Sequence, residues 1–345
     1  EGVMKIAESM LGIAAGVSLA LSASCVVPQP LSAAGAERVR GPIPTRIMQP
    51  AGLIFPANRP RRAALLEAGE GRATAEIFYA SIFERVVRPA EAAAFDGEIA
   101  RGSLTLQYAP TDGVEVVLEP TVLFASSGFL DSFVDGFHAI TGFVGGGRDE
   151  FQSDQYSMYL QRNGEVAWEL AEDHVRFGDL PITLVSRIRE EDGDGPAVAA
   201  RFTIELPTGD EGRGTGSGGI DAAAGVILER SVGRFTFFGG VDGVHVDQPA
   251  SFQRAGIDVR SLFSVSGGAE YRWSDRLSLL AQAVLQMPLT RSLPFEEIDR
   301  EILDLGFGFA YELSGASTLR FSFHEDAVAA SGPDLTFYTG ISWRF

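Results

Sequence analysis

The most regular feature of the sequence is an alternation of apolar and polar residues, which is clearest over the last eleven residues. One parity carries Leu335, Phe337, Thr339, Ile341, Trp343 and Phe345, and the other carries Thr336, Tyr338, Gly340, Ser342 and Arg344. A period of two residues is that of a β-strand with one apolar face. Such a strand with an open edge would pair with other chains, whereas a closed barrel has no free edge. The pattern predicts a strand, ending in Phe345, that closes a β-barrel.

The same period recurs from residue 73 onward. It predicts strands near residues 75–83, 103–108, 114–124, 182–188, 198–206, 222–229, 234–242, 263–273, 277–287, 303–313 and 319–324. Short turns near residues 110, 193, 232, 274 and 315 alternate with longer loops, as periplasmic turns and extracellular loops do in outer-membrane barrels. One strand, five turn-linked pairs and the closing strand make about twelve strands. A hairpin at Asn163–Gly164 would raise the count to about fourteen if it joined the wall.

The two parities of these strands differ in chemistry. One is rich in Phe and Leu, and the other carries the charged residues. A soluble sandwich would explain the alternation, but it would not explain an apolar face on nearly every strand behind an export signal. The predicted fold class is therefore all-β, a transmembrane up-and-down antiparallel barrel whose apolar face contacts lipid. Pro120 lacks a ladder donor and predicts a bulge or kink in the third strand.

The chain divides into three regions. Residues 1–36 have the features of a signal peptide, with Lys5, an apolar run and the small residues of Ala34–Ala36 before the cleavage point. Lipidation at Cys25 is the alternative. Residues 37–72 are rich in Pro and Arg and have no period, so they form a periplasmic segment, a plug or a flexible linker. Residues 73–345 form the barrel, with a long extracellular insertion at 125–179.

The insertion contains a predicted amphipathic helix. Phe129, Phe133 and Phe137 recur every four residues, and the stretch ends in a glycine run before Arg148. An apolar helix face must be buried, either in the barrel mouth or against neighbouring loops. Residues 128–148, including these four side chains, are therefore candidates for a constriction or lid.

Charge and cysteine content narrow the classes of partner. The 345 residues carry a net charge of -18, which disfavours nucleic acid because phosphates would be repelled. Beyond the N-terminus, no apolar run is long enough for a transmembrane helix. Cys25 is the only cysteine, so a chain cleaved after residue 36 would have no disulfide. We expect no cofactor, and no metal-ligand spacing links the histidines.

Charged residues of the inward parity form the main constellation. They are Glu115, Glu119, Arg187, Arg201, Glu205, Asp221, Glu229, Arg234, Asp242, Glu270, Arg272, Asp304, Glu312, Arg320, His324 and Arg344. Both signs occur in similar number. They could form ion-pair ladders in a filled lumen, or they could line a polar path for a small solute.

Two further motifs could carry chemistry. Ser322 and His324 share a face, which an outer-membrane lipid hydrolase could use, but side chains two positions apart on a strand are expected to lie about 7 Å apart. Glu325 and Asp326 follow them as candidate orienting groups. The glycine-rich loop at 208–219 could bind a cation or could be a plain loop.

Several stretches resemble an uncharacterised family of bacterial outer-membrane proteins, domain of unknown function 3187. They are Gly41–Pro44, Ser127–Phe133 through Gly147–Arg148, Leu206–Asp210, Gly216–Gly218, His324–Asp326 and Trp343–Phe345. The Gly-Phe-Leu-Asp block is the most specific, whereas Leu-Pro-Thr-Gly-Asp also resembles barrels linked to uptake of aromatic compounds. The resemblance implies an outer-membrane barrel and no defined activity.

Three functions fit these features. The first is a passive outer-membrane channel for a small solute, gated by the 128–148 loop. The second is a structural or interaction barrel with a closed lumen, and the third is the lipid hydrolase. In each case the expected partners are outer-membrane lipid or lipopolysaccharide and the barrel-assembly machinery, which would recognise the strand ending in Phe345. The expected location is the outer membrane of a Gram-negative bacterium.

Overall fold

The structure is a computed structural model that describes residues 39–130, 133–134, 136, 155–193, 195–290, 293, 299–327 and 332–345. Its strands are β1 Gly71–Arg88, β2 Glu91–Thr111, β3 Val114–Leu118, β4 Thr121–Ser126, β5 Ser157–Arg162, β6 Glu165–Glu169, β7 Arg176–Phe177, β8 Leu180–Arg189, β9 Ala197–Leu206, β10 Asp221–Val232, β11 Phe235–His245, β12 Leu262–Arg272, β13 Leu277–Gln286, β14 Ile302–Ser314, β15 Ser317–Asp326 and β16 Leu335–Arg344. Short 3-10 helices occur at Pro50–Ile54 and Glu211–Arg213, and helix α1 at Ala250–Arg254. None of the described helices is long and apolar enough to cross a membrane.

The strands form one closed antiparallel barrel. Strand β16 pairs with β15 on one side and with β1 on the other. The Phe345 and Gly71 backbones exchange hydrogen bonds of 2.8 and 2.9 Å at this seam. Strands β3 and β4 share one wall position, broken at Glu119–Pro120, and β7 and β8 share another. The wall therefore has twelve strands, and its break falls at the proline noted in the sequence.

The hairpin at Asn163–Gly164 stands outside the wall. Strand β5 pairs with Glu91–Asp96 of β2, and β6 pairs only with β5. Asn163 and Gly164 have φ values of 54° and 81°, which a two-residue hairpin turn requires. The hairpin extends the sheet beyond the barrel, so the count is twelve and not fourteen.

Strands β1 and β2 run further than the alternation predicts. They contain 18 and 21 residues and turn at Pro89–Ala90, whereas the sequence pattern stops near residue 83 and resumes near 103. Residues Ala92, Ala93, Ala94 and Phe95 are all buried. Both faces of the sheet are covered there, so the sequence has no apolar–polar alternation to mark the strand.

The two faces of the wall differ as the parity predicts. Val226, Leu228, Val241, Leu279 and Phe307 point outward and are 41–46% exposed. Outward rings also contact their neighbours across strands, with centroids of Phe307 and Phe323 5.7 Å apart. Inward positions carry buried charges and small residues. Lipid is the only apolar solvent that would cover so large an outer face.

Outward positions at different heights should respond differently to charge. Val241 pairs with Val226 and Val265 in the middle of the wall, and Val87 pairs with Ala92 near the β1–β2 turn. We expect Val241→Arg to lower the free energy of unfolding in lipid vesicles by about 2–4 kcal/mol, and Val87→Arg by about 0–1 kcal/mol. Denaturant titrations followed by tryptophan fluorescence would measure both. Equal losses at the two sites would contradict a lipid-facing wall.

Candidate functional site in the barrel lumen

The lumen contains the chain segment 39–66, called here the insert. It runs in from the short-turn end, where Arg40 Nη2 donates to Glu312 Oε2 (2.6 Å). The insert returns to the short-turn end. There the backbone amide of Ala68, two residues after the insert, donates to Asp112 Oδ1 (3.1 Å). Midway along its first limb, the Gln282 amide donates to the Ile43 carbonyl (3.0 Å). The insert therefore forms a hairpin along the barrel axis.

The composition of the insert explains its irregular shape. It carries prolines at 42, 44, 50, 56 and 60, which lack an amide donor and prevent a regular β-ladder. At its apex, the 3-10 helix Pro50–Ile54 begins after Gln49, whose side chain accepts a hydrogen bond from the Gly52 amide (2.6 Å). The insert binds the wall mainly through its side chains and isolated polar groups.

The apex closes the long-loop end of the barrel with an apolar core. Met48, Ile54 and Phe55 are at most 2% exposed and share one buried cluster with Trp168 and Phe252. The rings of Phe55 and Phe252 meet edge to face at 6.3 Å between centroids. Helix α1 and the β5–β6 hairpin thus pack over the apex.

Ion pairs join the insert to the wall below the apex. The pairs, with N–O distances, are Arg40–Glu312 at 2.6 Å, Arg59–Glu76 at 2.7 Å, Arg59–Glu119 at 2.6 Å, Arg61–Glu115 at 2.6 Å and Arg62–Glu229 at 2.7 Å. Backbone amides add to them, since Gly41 donates to Glu270 (2.7 Å) and Leu66 donates to Glu115 (2.6 Å). In these contacts the insert supplies the cations and donors, and the wall supplies the carboxylates.

The predicted inward charges lie at three levels of exposure. Nine are buried: Glu115, Arg201, Glu205, Asp221, Glu229, Asp242, Glu270, Asp304 and His324. Six are partly exposed: Glu119, Arg187, Arg272, Glu312, Arg320 and Arg344. Arg234 is exposed at the β10–β11 turn.

The structure brings some of these residues together and separates others. Arg201 of β9 and Asp242 of β11 form a buried two-point pair across the intervening β10, with Nε to Oδ1 at 2.8 Å. Arg187 and Arg272 instead contact the rim, binding Glu190 (2.6 Å) and the Gly233 carbonyl (3.3 Å). Asp221 accepts from the Ser217 hydroxyl (2.7 Å), in the long loop between β9 and β10.

Eight further charged residues line the lumen that are not among the predicted inward charges. They are Arg46, Arg59, Arg61, Arg62, Arg72, Glu76, Arg101 and Asp179. Arg72, Thr74 and Glu76 lie on the polar face of β1. The alternation in the sequence could therefore have identified Arg72 and Glu76. The Arg59–Arg62 stretch has no period, and its position inside the barrel could not be read from its spacing.

Ser322 and His324 lie closer than strand spacing predicts. Ser322 Oγ is 2.8 Å from His324 Nε2, and His324 Nδ1 is 2.9 Å from Asp304 Oδ1. The expected separation was wrong because the imidazole leans along the strand toward its same-face neighbour. The third member is Asp304 of β14 and not Glu325 or Asp326. Ser322 and His324 are at most 1% exposed and line neither of the two cavities that lie beside the insert, so the described residues show no substrate route to the group.

The loop after β4 packs on the outer wall. The Phe129 ring lies 6.0 Å from that of Tyr79, and Phe133 lies 6.1 Å from Phe337, both on the outward parity. The amides of Phe129 and Leu130 donate to buried Glu98 at 2.8 and 2.5 Å. These two lid candidates therefore lie outside the lumen, and Phe137 and Arg148 fall outside the described residues.

The loop at 208–219 uses its acidic groups for internal contacts. Asp210 pairs with Arg213 (3.2 Å), and Glu211 accepts from the Ser251 amide (2.6 Å). Asp179, between β7 and β8, accepts from the amides of Gly209 and Ser217 (2.7 and 2.9 Å). Across the described residues, no group of three His, Cys, Asp or Glu could hold a metal ion.

Gly128 is required for the loop to reach Glu98. Its φ is +79°, and a Cβ there would lie 1.9 Å from the Glu98 Cδ atom. We expect Gly128→Ala to cost at least about 1–2 kcal/mol of backbone strain and to release the loop. Limited proteolysis of the folded barrel should then cut near residue 130 roughly ten times faster. Gly315→Ala, at a turn with open space, is the control, and unchanged cleavage in Gly128→Ala would refute the assignment.

Solved barrels share this architecture. The COG4313 outer membrane channel from Pseudomonas putida F1 is 12% identical, covers 84% of this chain and 100% of its own, and has a TM-score of 0.57. The NanC porin is 7% identical over 79% and 98% of the two chains, with a TM-score of 0.47. At such identities the first likeness establishes the fold alone, and the second is too weak to carry an argument.

Sequence comparison identifies the family. No curated protein matches the chain. The model of the family described as protein of unknown function (DUF3187) matches residues 17–345, which is nearly the whole chain. The match spans the insert, the wall and the closing strand, so the chain belongs to the DUF3187 family.

Proposed function

We propose that the protein is a passive outer-membrane channel for a small solute, held closed by its N-terminal insert. The observation that carries the proposal is the way in which the insert is bound. Charged pairs and isolated hydrogen bonds hold it, and it is not a strand of the wall. An element that is not part of the β-ladder can leave without breaking the barrel.

The charges of the wall support the proposal that the insert can leave the lumen. Without the insert, Glu76, Glu115, Glu119, Glu229 and Glu270 would face the lumen with most of their cationic partners gone. A lumen built to stay filled would be expected to pack with apolar side chains, since buried ion pairs often add little net stability. Solvated carboxylates would suit a water-filled path through a barrel of this size.

A structural barrel with a permanently closed lumen is the second candidate. The apolar core of Met48, Ile54, Phe55, Trp168 and Phe252 favours it, because opening would expose these side chains. The conductance of a variant without the insert separates the two candidates. Gating by residues 128–148 gains no support from Phe129 and Phe133, which contact the outer wall.

The location and partners complete the proposal. An outward face of Phe, Leu and Val suits the outer membrane and its lipid or lipopolysaccharide. The strand ending in Phe345 would be the segment that the barrel-assembly machinery recognises. The buried Ser322–His324–Asp304 group then acts as a structural hydrogen-bond chain between β14 and β15.

Removing the insert tests the channel directly. Replacing residues 39–66 with a short Gly-Ser linker should convert a closed barrel into one with steady single-channel currents in planar bilayers. The unaltered chain should show rare openings. Heat-modifiable mobility on gels would establish that both proteins are folded. If the folded deletion variant does not conduct, the closed-lumen candidate is correct and the channel is refuted.

Weakening one ion pair should open the channel without deletion. Arg62 pairs with Glu229, which also accepts the Ala63 amide (3.1 Å). Arg62→Gln leaves this buried carboxylate unpaired, at a cost of about 3 kcal/mol, which corresponds to a rise in opening of roughly a hundredfold. Arg230→Gln is the control, because its contacts among the described residues are turn carbonyls and the neighbouring Glu191, all outside the lumen. Equal open probabilities in the two variants would exclude the insert as the gate.

A further inference from the structure

Two cavities meet inside the barrel beside the insert. The upper cavity has a volume of about 140 Å³. The lower cavity, toward the short-turn end, has a volume of about 210 Å³. Both are lined by Arg62, Ala64, Arg72 and Arg320, which we call the junction. The lower cavity also reaches the β14–β15 turn at Gly315. The junction is therefore the point where the short-turn mouth connects to the middle of the lumen.

Cations outnumber anions around the lower cavity. Five arginines line it, Arg40, Arg62, Arg72, Arg320 and Arg344, against three carboxylates, Glu67, Glu70 and Glu312. Three of the arginines have a carboxylate partner: Arg40 with Glu312, Arg62 with Glu229, and Arg344 with Glu70. Arg72 and Arg320 form no ion pair with a described carboxylate.

The contacts of these two arginines leave their charges uncompensated. Arg320 donates from Nε to the Arg40 carbonyl (2.7 Å) and from Nη1 to the Ser342 hydroxyl (3.1 Å), which are neutral acceptors. The Arg72 guanidinium has no hydrogen-bond partner among the described residues, although it is mostly buried between the cavities. The charges of Arg320, Arg62 and Arg344 oppose that of Arg72, and Glu115 is the carboxylate that acts in its favour without forming an ion pair with it. Two like charges held together in a partly dry site favour an anion between them.

The upper cavity shows the same imbalance in hydrogen bonds. Arg46 Nε, Arg61 Nε and Arg101 Nη1 are buried donors without a partner among the described residues, whereas Glu205 Oε2 is the one such acceptor lining this cavity. Guanidinium groups donate and never accept, so a ligand here must bring acceptors. Water could supply acceptors, but it could not neutralise the excess charge at the junction.

We propose that the junction binds a small oxyanion, such as a carboxylate or phosphate group, while the insert is in place. The site does not rest on the proposed channel function, because Arg62 of the insert is part of it. The chain as a whole carries -18, so the cationic junction does not follow from composition. Planar guanidinium groups bind carboxylate and phosphate by two parallel hydrogen bonds, which gives them preference over halide ions.

Binding can be measured on the full-length protein in detergent with the insert in place. Inorganic phosphate and succinate would be titrated separately by calorimetry at constant ionic strength, with chloride as the comparison ion. We expect saturable binding of at least one oxyanion. Arg72→Met and Arg320→Met should each weaken it by about tenfold or more, since a charged hydrogen bond contributes about that factor. Arg230→Met, outside both cavities, should bind as the unaltered chain does.

The outcomes distinguish the site from the channel. No binding of either oxyanion, or equal binding in all three variants, would overturn the junction site even if the deletion variant conducts. Oxyanion binding with a folded but non-conducting deletion variant would refute the channel and keep the site. Arg72→Gln serves as a second variant if Arg72→Met does not fold. Phosphate binding alone would indicate a phosphate site, and succinate binding alone would indicate a carboxylate site.

Discussion

Charge complementarity between the insert and the wall is the interaction on which the closed state depends. The wall places carboxylates where a lumen would otherwise be empty, and the insert brings a guanidinium to Glu76, Glu115, Glu119, Glu229 and Glu312. Buried charges without partners are costly, so the insert and the inner wall stabilise each other. The pairs also determine the register of the insert, because each arginine must reach its own carboxylate. An apolar filling would seal the barrel equally well but would specify no such alignment.

The barrel separates two solvents with one alternating pattern. The outward parity carries Phe, Leu and Val, and the inward parity carries charges, so lipid and lumen are each matched by one face of every wall strand. The pattern fails only where a third layer covers the sheet, as at the ends of β1 and β2. There the β5–β6 hairpin, α1 and the apex of the insert make an ordinary apolar core. The long-loop end thus resembles a small soluble domain built on a membrane barrel.

The Gly-Phe-Leu-Asp block shows how a sequence motif can have a purely architectural cause. Gly128 has a backbone conformation and a clearance that only glycine meets, and the amides that follow it satisfy the carboxylate of Glu98. This carboxylate lies on the outward parity, where an uncovered charge would meet lipid. Covering it is sufficient reason for the motif, without a role in the lumen.

The sequence by itself determined the barrel, its closing strand, its twelve-strand count as one of two alternatives, and the inward parity of most lumen charges. These features follow from an alternation with a period of two residues, and such an alternation can be recognised in the sequence alone. Only the tertiary structure decided which charges meet, that Asp304 completes the Ser322–His324 chain, and that residues 39–66 occupy the lumen. Those outcomes depend on contacts between segments up to 280 residues apart, and the insert has no period because its partners surround it on all sides.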